Sequence, residues 1–342
     1  MASSKFLKTR PTYRAFASKF SNVGIFGIYK FPRLFFDLTV LSLKITLATL
    51  IATFRIIVPP AMKNLSGETV LITGAGHGIG RELAIQLSAL GCNVVCWDND
   101  KEANKSTMNA VLKIGGQVYG FVVDVSKRFE VRETVRLMRK VGVPEVTVLI
   151  NNAAVLVHRP LLAHDSDNIE RIFGVNVMSN FWTIEAFLPR MLLNNKGHIV
   201  CMSSMCGIYG VPLKVPYCSS KFAIRGLMEG LHEELRMDPK KPKINCTTIY
   251  PFWIDTGLDK DPKYRFPQIF GVVTPQYAAQ EVIKAVRRNY TEYSIPKCLL
   301  FLNSINRIVP EKVMRLTLDF LADGDKNQKE NNAIKDHQMK CT

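Results

Sequence analysis

From about residue 65 onward, short apolar runs alternate with longer segments in which apolar residues recur at helical spacing. The predicted strands are Thr69–Thr73, Asn93–Trp97, Gln117–Val123, Val146–Ile150, His198–Met202 and Ile244–Tyr250. The predicted helices begin at Gly78 and then cover 100–113, 127–140, 167–194 and 216–236. Such alternation gives parallel strands joined by right-handed helical crossovers, so the pattern predicts an α/β fold with a Rossmann-type doubly wound sheet. Ligands of these sheets bind beyond the carboxyl ends of the strands.

A different pattern precedes this domain. Residues 34–60 are predominantly apolar, and three charges interrupt them: Asp37, Lys44 and Arg55. At 100° per residue these charges share one narrow stripe of a helix, which is apolar around most of its girth. The longest uncharged run, 45–54, is shorter than the about 20 residues of a clean span. The pattern predicts a membrane-anchoring helix that lies in the surface, forms a hairpin, or spans while Lys44 snorkels; the alternative is an amphipathic helix packed on the protein.

Charge is distributed unevenly along the 342 residues, which carry 45 Lys and Arg against 29 Asp and Glu. A basic arm at the N-terminus suits nucleic acid or an anionic membrane surface, and the apolar segment that follows it favours the membrane and no nucleic acid. We expect a basic arm over 1–33, an anchoring segment over 34–60, a single catalytic domain over 65–300, an apolar helix over 301–322 and a disordered tail over 323–342.

Cysteine spacing argues against a metal site. The eight cysteines lie at 92, 96, 201, 206, 218, 246, 298 and 341, without paired zinc-ligand or redox spacing. Free thiols in buried strands suit a reducing, cytosol-facing compartment better than disulfides do. A single span with a cytosolic N-terminus would place the domain in the lumen, so a surface or hairpin segment agrees better with the thiols.

The first predicted strand-to-helix turn is rich in glycine. Without side chains, the backbone N–H groups at the helix N-terminus can reach a pyrophosphate. The predicted cofactor contacts in this turn are Gly74, Gly76, His77, Gly78, Ile79 and Gly80. A glycine-rich turn without a ligand is the alternative.

The second predicted strand leads to Asp98, where a dinucleotide-binding fold places the carboxylate that binds the adenosine ribose. A carboxylate there repels a 2′-phosphate and points to NAD rather than NADP. Asp98 could also cap the helix that follows it.

Tyr217 and Lys221 are four residues apart on a predicted helix and therefore share one face. A free phenol has a pKa near 10, so an ammonium that stabilises the phenolate gives a physical reason for the pair. Ser204 stands just beyond a strand end, where its hydroxyl can bind a substrate oxygen while Tyr217 moves the proton.

Together these residues resemble the short-chain dehydrogenase/reductase family over about residues 65–300. The matching motifs are Thr73–Gly80, Asn151–Ala153, Ser204 with Gly207, and Tyr217 with Lys221. The resemblance implies hydride transfer between nicotinamide and an alcohol or carbonyl. It makes Tyr217 the general acid/base, Ser204 the orienting hydroxyl, Lys221 a ribose ligand that depresses the tyrosine pKa, and Asn176 the holder of a relay water. It also implies cofactor contacts from Asp124, Asn152, Ala153, Pro251 and Thr256.

Two stretches, Gly67–Arg81 and Tyr217–Ala223, look like the membrane-bound epidermal retinol dehydrogenase 2 and 17-beta-hydroxysteroid dehydrogenase 11 and 13 group. That resemblance implies an NAD-dependent oxidation of a lipophilic alcohol such as retinol or a steroid, on the endoplasmic reticulum or lipid droplets. It also implies a homodimer through the helices near 168–194 and 216–236. Ala154 and Phe252 depart from the family, which usually has glycine at the first position and often at the second. The alternative function is a membrane or lipid-droplet scaffold with vestigial NAD binding.

Overall fold

The structure, a computed structural model, describes residues 31–257, 272–306 and 308–321. It divides into two units, Met1–Pro60 and Ala61–Thr342. The arm over 1–33 falls almost wholly outside the described residues, and the tail over 323–342 falls wholly outside them.

In the first unit, helix α1 covers Phe31–Ile57. Its apolar side chains are exposed, and Arg33–Ile57 is long and apolar enough to cross a membrane by length and composition. Four threonine hydroxyls each donate to the carbonyl one turn earlier, so the helix satisfies these polar groups itself: Thr39, Thr46, Thr49 and Thr53.

The second unit is built on a parallel sheet. Its described strands are β1 Thr69–Thr73, β2 Asn93–Asp98, β3 Val118–Val122, β4 Val148–Asn151, β5 Gly197–Met202, β6 Ile244–Pro251 and β7 Glu292–Ile295. Their order is β3-β2-β1-β4-β5-β6-β7, and every pair is parallel. The order reverses between β1 and β4, where such sheets open a ligand crevice. The predicted Rossmann-type fold is therefore confirmed.

Helices cover both faces of this sheet. They are α2 Gly78–Ala89, α3 Lys101–Lys113, α4 Arg128–Lys140, α5 Ser166–Phe173, α6 Ser179–Leu193, α7 Val215–Met237, α8 Pro275–Arg287, α9 Cys298–Asn306 and α10 Glu311–Leu321. Side chains of β1 alternate between two cores: Val70 and Ile72 pack towards α2 and α8, and Leu71 packs towards α4 and α6. Burial on both faces explains why the strands are continuous apolar runs.

Four elements differ from the sequence predictions. Helix α8 and strand β7 were not predicted, although they complete one edge of the domain. The predicted helix over 167–194 is interrupted by a π-helical segment, Gly174–Met178. The apolar helix predicted over 301–322 is two helices, α9 and α10, because Pro310 cannot continue a helix.

Candidate active site

The turn between β1 and α2 has a shape that requires glycine. Gly74 and Gly78 have φ angles of 65° and 51°, in the left-handed region. A Cβ added to Gly80 would lie 2.0 Å from the carbonyl oxygen of Gly74. The backbone therefore folds onto itself more closely than any side chain would allow.

Hydrogen bonds from the side chain of Asn152 hold this turn against the end of β4. Its amide donates to the carbonyl oxygens of Thr73 and Gly74, each at 3.0 Å. The Thr73 hydroxyl in turn accepts the N–H groups of Asn152 at 3.0 Å and Ala153 at 3.1 Å. Asn152 and Ala153 thus set the position of the glycine turn, a role the sequence did not reveal.

The start of α2 fits an anion. His77 stands at the N-cap but its side chain makes no capping hydrogen bond, and His77, Gly78 and Ile79 all line a cavity. The first N–H groups of an α-helix have no partner within the helix, and the helix dipole favours a negative charge there. These residues fit the pyrophosphate of a dinucleotide.

Asp98 lies at the end of β2, is 8% exposed and lines the same cavity. Its carboxylate accepts the N–H groups of Gly76 at 2.7 Å and Asp100 at 2.9 Å, which leaves lone pairs on both oxygens for a ribose. The cap of α3 is Asp100, whose side chain accepts the N–H of Ala103 at 3.0 Å. The alternative that Asp98 caps this helix is wrong.

Asp124 follows β3 on the same side of the sheet and lines the cavity. Its carboxylate accepts the N–H of Ser126 at 3.0 Å and the hydroxyl of Ser126 at 2.6 Å. Partial burial alone would raise the pKa of Asp124, but the hydrogen bonds from Ser126 and Lys127 outweigh burial and lower it. The carboxylate therefore stays charged, with its oxygens oriented by Ser126.

The cavity has a volume of about 690 Å³. It collects most of the predicted site residues: Gly74, His77, Gly78, Ile79, Asp98, Asp124, Asn152, Ala153, Ser204, Tyr217, Lys221, Pro251 and Thr256. Gly76, Gly80 and Asn176 lie outside its lining. Gly76 and Gly80 act on the shape of the turn instead, because neither position has room for a side chain. A Cβ on Gly76, for example, would lie 2.9 Å from a carboxylate oxygen of Asp98.

Tyr217 and Lys221 meet as their spacing predicts. The ammonium of Lys221 lies 5.5 Å from the centroid of the Tyr217 ring and donates to the carbonyl of Met202 at 2.8 Å. Lys221 is fully buried, and the loss of hydration lowers its pKa to about 8. At pH 7 most of the Lys221 amine is still the charged ammonium.

Ser204 stands directly beyond β5 in an extended conformation. Its hydroxyl accepts the N–H of Cys206 at 3.2 Å and lies 3.5 Å from the carbonyl of Pro251. Ser204 and Tyr217 therefore line one cavity from different elements, a turn and a helix.

Asn176 lies in the π-helical segment, and its side chain is fully engaged. Its carbonyl accepts the N–H of Val155 at 2.8 Å, and its amide donates to the Val155 carbonyl at 2.9 Å and the Ser220 hydroxyl at 3.0 Å. The backbone carbonyl of Asn176 accepts the amide of Asn180 at 2.8 Å. Asn176 thus ties the segment after β4 to α7, next to the cavity rather than in it. Its predicted role with a relay water stays a prediction.

Sequence reasoning missed several residues of the cavity wall. Lys214 is buried just before α7, and its ammonium lies 4.7 Å from the centroid of the Trp253 ring. Cys206 follows Ser204 by two residues and also lines the cavity. Cys206 and Lys214 lie within three residues of Ser204 and Tyr217 in the sequence, and this closeness could have marked them as candidates for the cavity wall. Nothing in the sequence singled out Trp253.

Comparison with known proteins places this geometry in a family. Residues 68–264 match the family model of the short chain dehydrogenases. The chain belongs to the short-chain dehydrogenase family. This short-chain dehydrogenase is 38% identical to mouse (Mus musculus) epidermal retinol dehydrogenase 2 over 78% of this chain and 86% of that protein. It is 36% identical to rat (Rattus norvegicus) estradiol 17-beta-dehydrogenase 11, over 75% of this chain and 85% of that protein.

A solved structure is similar as well. A short chain dehydrogenase/reductase from Burkholderia phymatum, in complex with NAD, aligns with a TM-score of 0.64 and 26% identity, covering 72% of this chain and 95% of that one. The family and this NAD-bound neighbour confirm the predicted family and enzyme class, an NAD-dependent oxidoreductase. The alcohol that this short-chain dehydrogenase acts on is not given by the family.

Proposed function

We propose that this short-chain dehydrogenase oxidises the hydroxyl of a lipophilic alcohol with NAD at a membrane or lipid-droplet surface. The observation that carries the proposal is that Ser204, Tyr217, Lys221, Asp98 and the uncapped start of α2 line one cavity. A scaffold protein would not need a catalytic serine, tyrosine and lysine in the same cavity as the dinucleotide-binding turn.

The residues of the cavity divide the reaction between them. Bound NAD would supply the acceptor for the hydride that leaves the carbinol carbon. Tyr217 would accept the hydroxyl proton as general base, and the Lys221 ammonium beside its ring would stabilise the phenolate. The Ser204 hydroxyl would orient the substrate oxygen.

Asp98 supports NAD over NADP. Its two oxygens already accept backbone N–H groups and can accept ribose hydroxyls with their remaining lone pairs. A 2′-phosphate at that point would bring a second anion against a carboxylate that is almost fully buried.

The substrate side of the cavity supports a lipophilic alcohol. Apolar and aromatic side chains line it: Val155, Leu156, Met205, Tyr209, Phe252 and Trp253. Such a lining favours apolar ligands whose few polar groups find specific partners, here Ser204 and Tyr217. The mouse and rat relatives are named for retinol and estradiol, both lipophilic alcohols.

Helix α1 supports the membrane part of the proposal. At about 1.5 Å per residue its 27 residues exceed the hydrocarbon thickness, and its threonine hydroxyls are already satisfied within the helix. A surface or hairpin placement would leave the catalytic unit on the cytosolic side, and endoplasmic reticulum or lipid droplets are the proposed compartments.

NADH absorbance tests the activity. Detergent-purified protein is mixed with NAD and either retinol, a steroid alcohol or a long-chain alcohol, and NADH formation with at least one is expected. Ser204→Ala should lower turnover about tenfold or more, whereas Ser219→Ala, an exposed serine of α7, should not change it. Silence with all three alcohols, while NAD is shown to bind, would favour the scaffold.

Alkaline extraction of membranes tests the anchor. Introducing charge on the apolar girth of α1 with Leu47→Lys and Ile51→Lys should release the protein into the soluble fraction. The matched pair Leu112→Lys and Ile114→Lys, also exposed but on the catalytic unit, should leave it in the membrane. Equal behaviour of the two pairs would contradict an anchoring role for α1.

A homodimer through α6 and α7 stays a prediction. Sedimentation of the detergent-purified protein at several concentrations would test it.

A further inference from the structure

Helix α4 presents a row of positive charges that the proposed reaction does not use. Its inner side packs into the core through Val131, Val135 and Met138, so its opposite side faces solvent. On that side a cation is repeated at every fourth residue: Arg128, Arg132, Arg136 and Lys140. Residues four apart are neighbours on the surface of a helix, so these side chains form a continuous cationic row.

A second row lies directly beside the first and is mostly apolar. It consists of Phe129, Glu133, Leu137 and Val141, and the exposed fractions of its three apolar side chains are 74%, 47% and 55%. Phe129 and Glu133 line a shallow groove together with three arginines of the cationic row. Exposed apolar side chains next to a row of cations are typical of helices that lie in the surface of an anionic membrane.

Ion pairs within the protein engage only part of the cationic row. Arg128 donates from Nε to the carboxylate of Glu185 at 2.9 Å, and Arg136 pairs with Glu133. The other two cations of the row form no ion pair with any carboxylate that the structure describes. Like charges four residues apart on a helix repel one another, so bound anions would stabilise this arrangement.

We propose that this face of α4, residues 128–141, docks the second unit on an anionic lipid surface. The guanidinium groups would bind lipid phosphates, and Phe129 would insert at the level of the headgroups. The proposal rests on the membrane location in the proposed function but not on the alcohol oxidation. It gives the second unit a lipid contact of its own, in addition to the α1 anchor of the first unit.

The apolar row favours lipid over other polyanions. Arginine binds phosphate through two parallel hydrogen bonds, and this contact is equally available in a nucleic acid and in a phospholipid headgroup. The phosphate backbone of a duplex offers Phe129 and Leu137 no apolar surface, whereas the membrane interface accepts such side chains next to cations. The expected ligand is therefore a phospholipid surface with net negative charge.

Vesicle flotation separates the contribution of α4 from that of α1. The full chain with Leu47→Lys and Ile51→Lys, which weaken the anchor, is mixed with vesicles of phosphatidylcholine alone or of phosphatidylcholine and phosphatidylserine. Binding should be about tenfold or more tighter on the anionic vesicles, because each basic residue near such a surface contributes roughly fivefold. High salt should remove the difference, since it screens the attraction.

Substitutions in both rows identify the surface. Arg132→Gln together with Arg136→Gln should weaken binding to the anionic vesicles about thirtyfold, and Phe129→Ala should weaken it about fivefold. The matched control is Lys101→Gln with Lys105→Gln, two exposed cations four residues apart on α3. This pair should change binding by less than about threefold, because salt screens charges that do not touch the surface.

Three results would overturn the proposal. One is equal binding to neutral and anionic vesicles. Another is an equal effect of the α4 and α3 pairs, which would assign the binding to the overall positive charge of the chain. The third is a loss in the arginine pair without a loss in Phe129→Ala, which would indicate a polyanion site without lipid insertion. The chain with an unmodified α1 reports the anchor by its binding to neutral vesicles, so failure of the proposed membrane location and failure of the α4 surface give different results.

Discussion

Tyr217 and Lys221 share one face of α7, and the ammonium lies 5.5 Å from the ring centroid of the phenol. If Tyr217 moves the proton, Tyr217→Phe should keep the fold and NAD binding, because the ring is retained in a cavity wall and only the hydroxyl is lost. Turnover should fall by about 10² or more, the usual effect of removing an acid/base. NADH formation and NAD titration of the same preparation check both parts; retained turnover would remove Tyr217 from the reaction.

Asp98 provides a second test at a single residue. Asp98→Ala should relax the preference against NADP, because no carboxylate would then oppose a 2′-phosphate. The variant also leaves the N–H groups of Gly76 and Asp100 without their acceptor, so a loss of about 1–3 kcal/mol in the free energy of unfolding is expected as well.

Asp100→Ala is the matched control for that variant. It removes the cap of α3 and should cost about 1 kcal/mol without changing the cofactor preference. The ratio of kcat/KM for NAD and NADP separates the two residues, and an unchanged ratio in Asp98→Ala would exclude Asp98 from the ribose site.

Residues fixed by local spacing were accessible from the sequence. Tyr217 and Lys221 had to share a face, and Asp98 and Ser204 had to stand at strand ends, since parallel strands bring those ends to one edge. Asn176 was harder, because its side-chain hydrogen bonds to Val155 and Ser220 depend on how three separate elements pack together.

Among the elements, the β1–α2 turn is the most demanding. Gly80→Ala would place a methyl group 2.0 Å from the Gly74 carbonyl and 2.7 Å from the amide nitrogen of Asn152. The turn would have to open, so NAD affinity should fall and unfolding should become easier by about 1–3 kcal/mol, as for overpacking. Chemical denaturation and NAD titration measure the two effects.

Gly230→Ala is the control for the glycine turn. Gly230 is exposed in α7 and an added Cβ would meet nothing within 4 Å, so alanine should stabilise the protein by about 0.5–1 kcal/mol. If both alanine variants behaved alike, close packing of the turn would not explain its glycines.

Periodicity identified most elements, because buried strands and amphipathic helices differ in length and spacing. Helix α8 and strand β7 were missed, since the apolar residues of Pro275–Arg287 and the four residues of Glu292–Ile295 give weak signals before they are packed against α2 and β6. The break between α9 and α10 could have been predicted from Pro310.

At the scale of the whole molecule, the predicted catalytic residues of the second unit lie beyond the carboxyl ends of the strands. A chain of hydrogen-bonded polar side chains lies at the opposite, amino-terminal ends. His198 lies at the amino-terminal end of β5, where it is paired with Val148 of β4. Its Nδ1 lies 2.7 Å from the Lys63 ammonium. Its Nε2 lies 2.8 Å from the Thr247 hydroxyl, which donates to the Tyr290 carbonyl at 2.5 Å. These hydrogen bonds can all form together only if Nε2 of His198 carries the proton and Nδ1 accepts a hydrogen bond from Lys63. His198 is therefore neutral.

This chain makes stability depend on pH. Burial first, and then Lys63, hold the pKa of His198 well below 6.5, so the unfolded state binds the extra proton as pH falls through 6.5 and the folded state does not. Stability should therefore fall by about 1 kcal/mol between pH 7 and pH 5.5 relative to His198→Gln, which has no proton to bind. Lys63, whose pKa burial lowers to about 8, changes charge above this window and does not contribute. Chemical denaturation of both proteins at the two pH values measures the difference, and parallel curves would show that His198 is not held neutral by the fold.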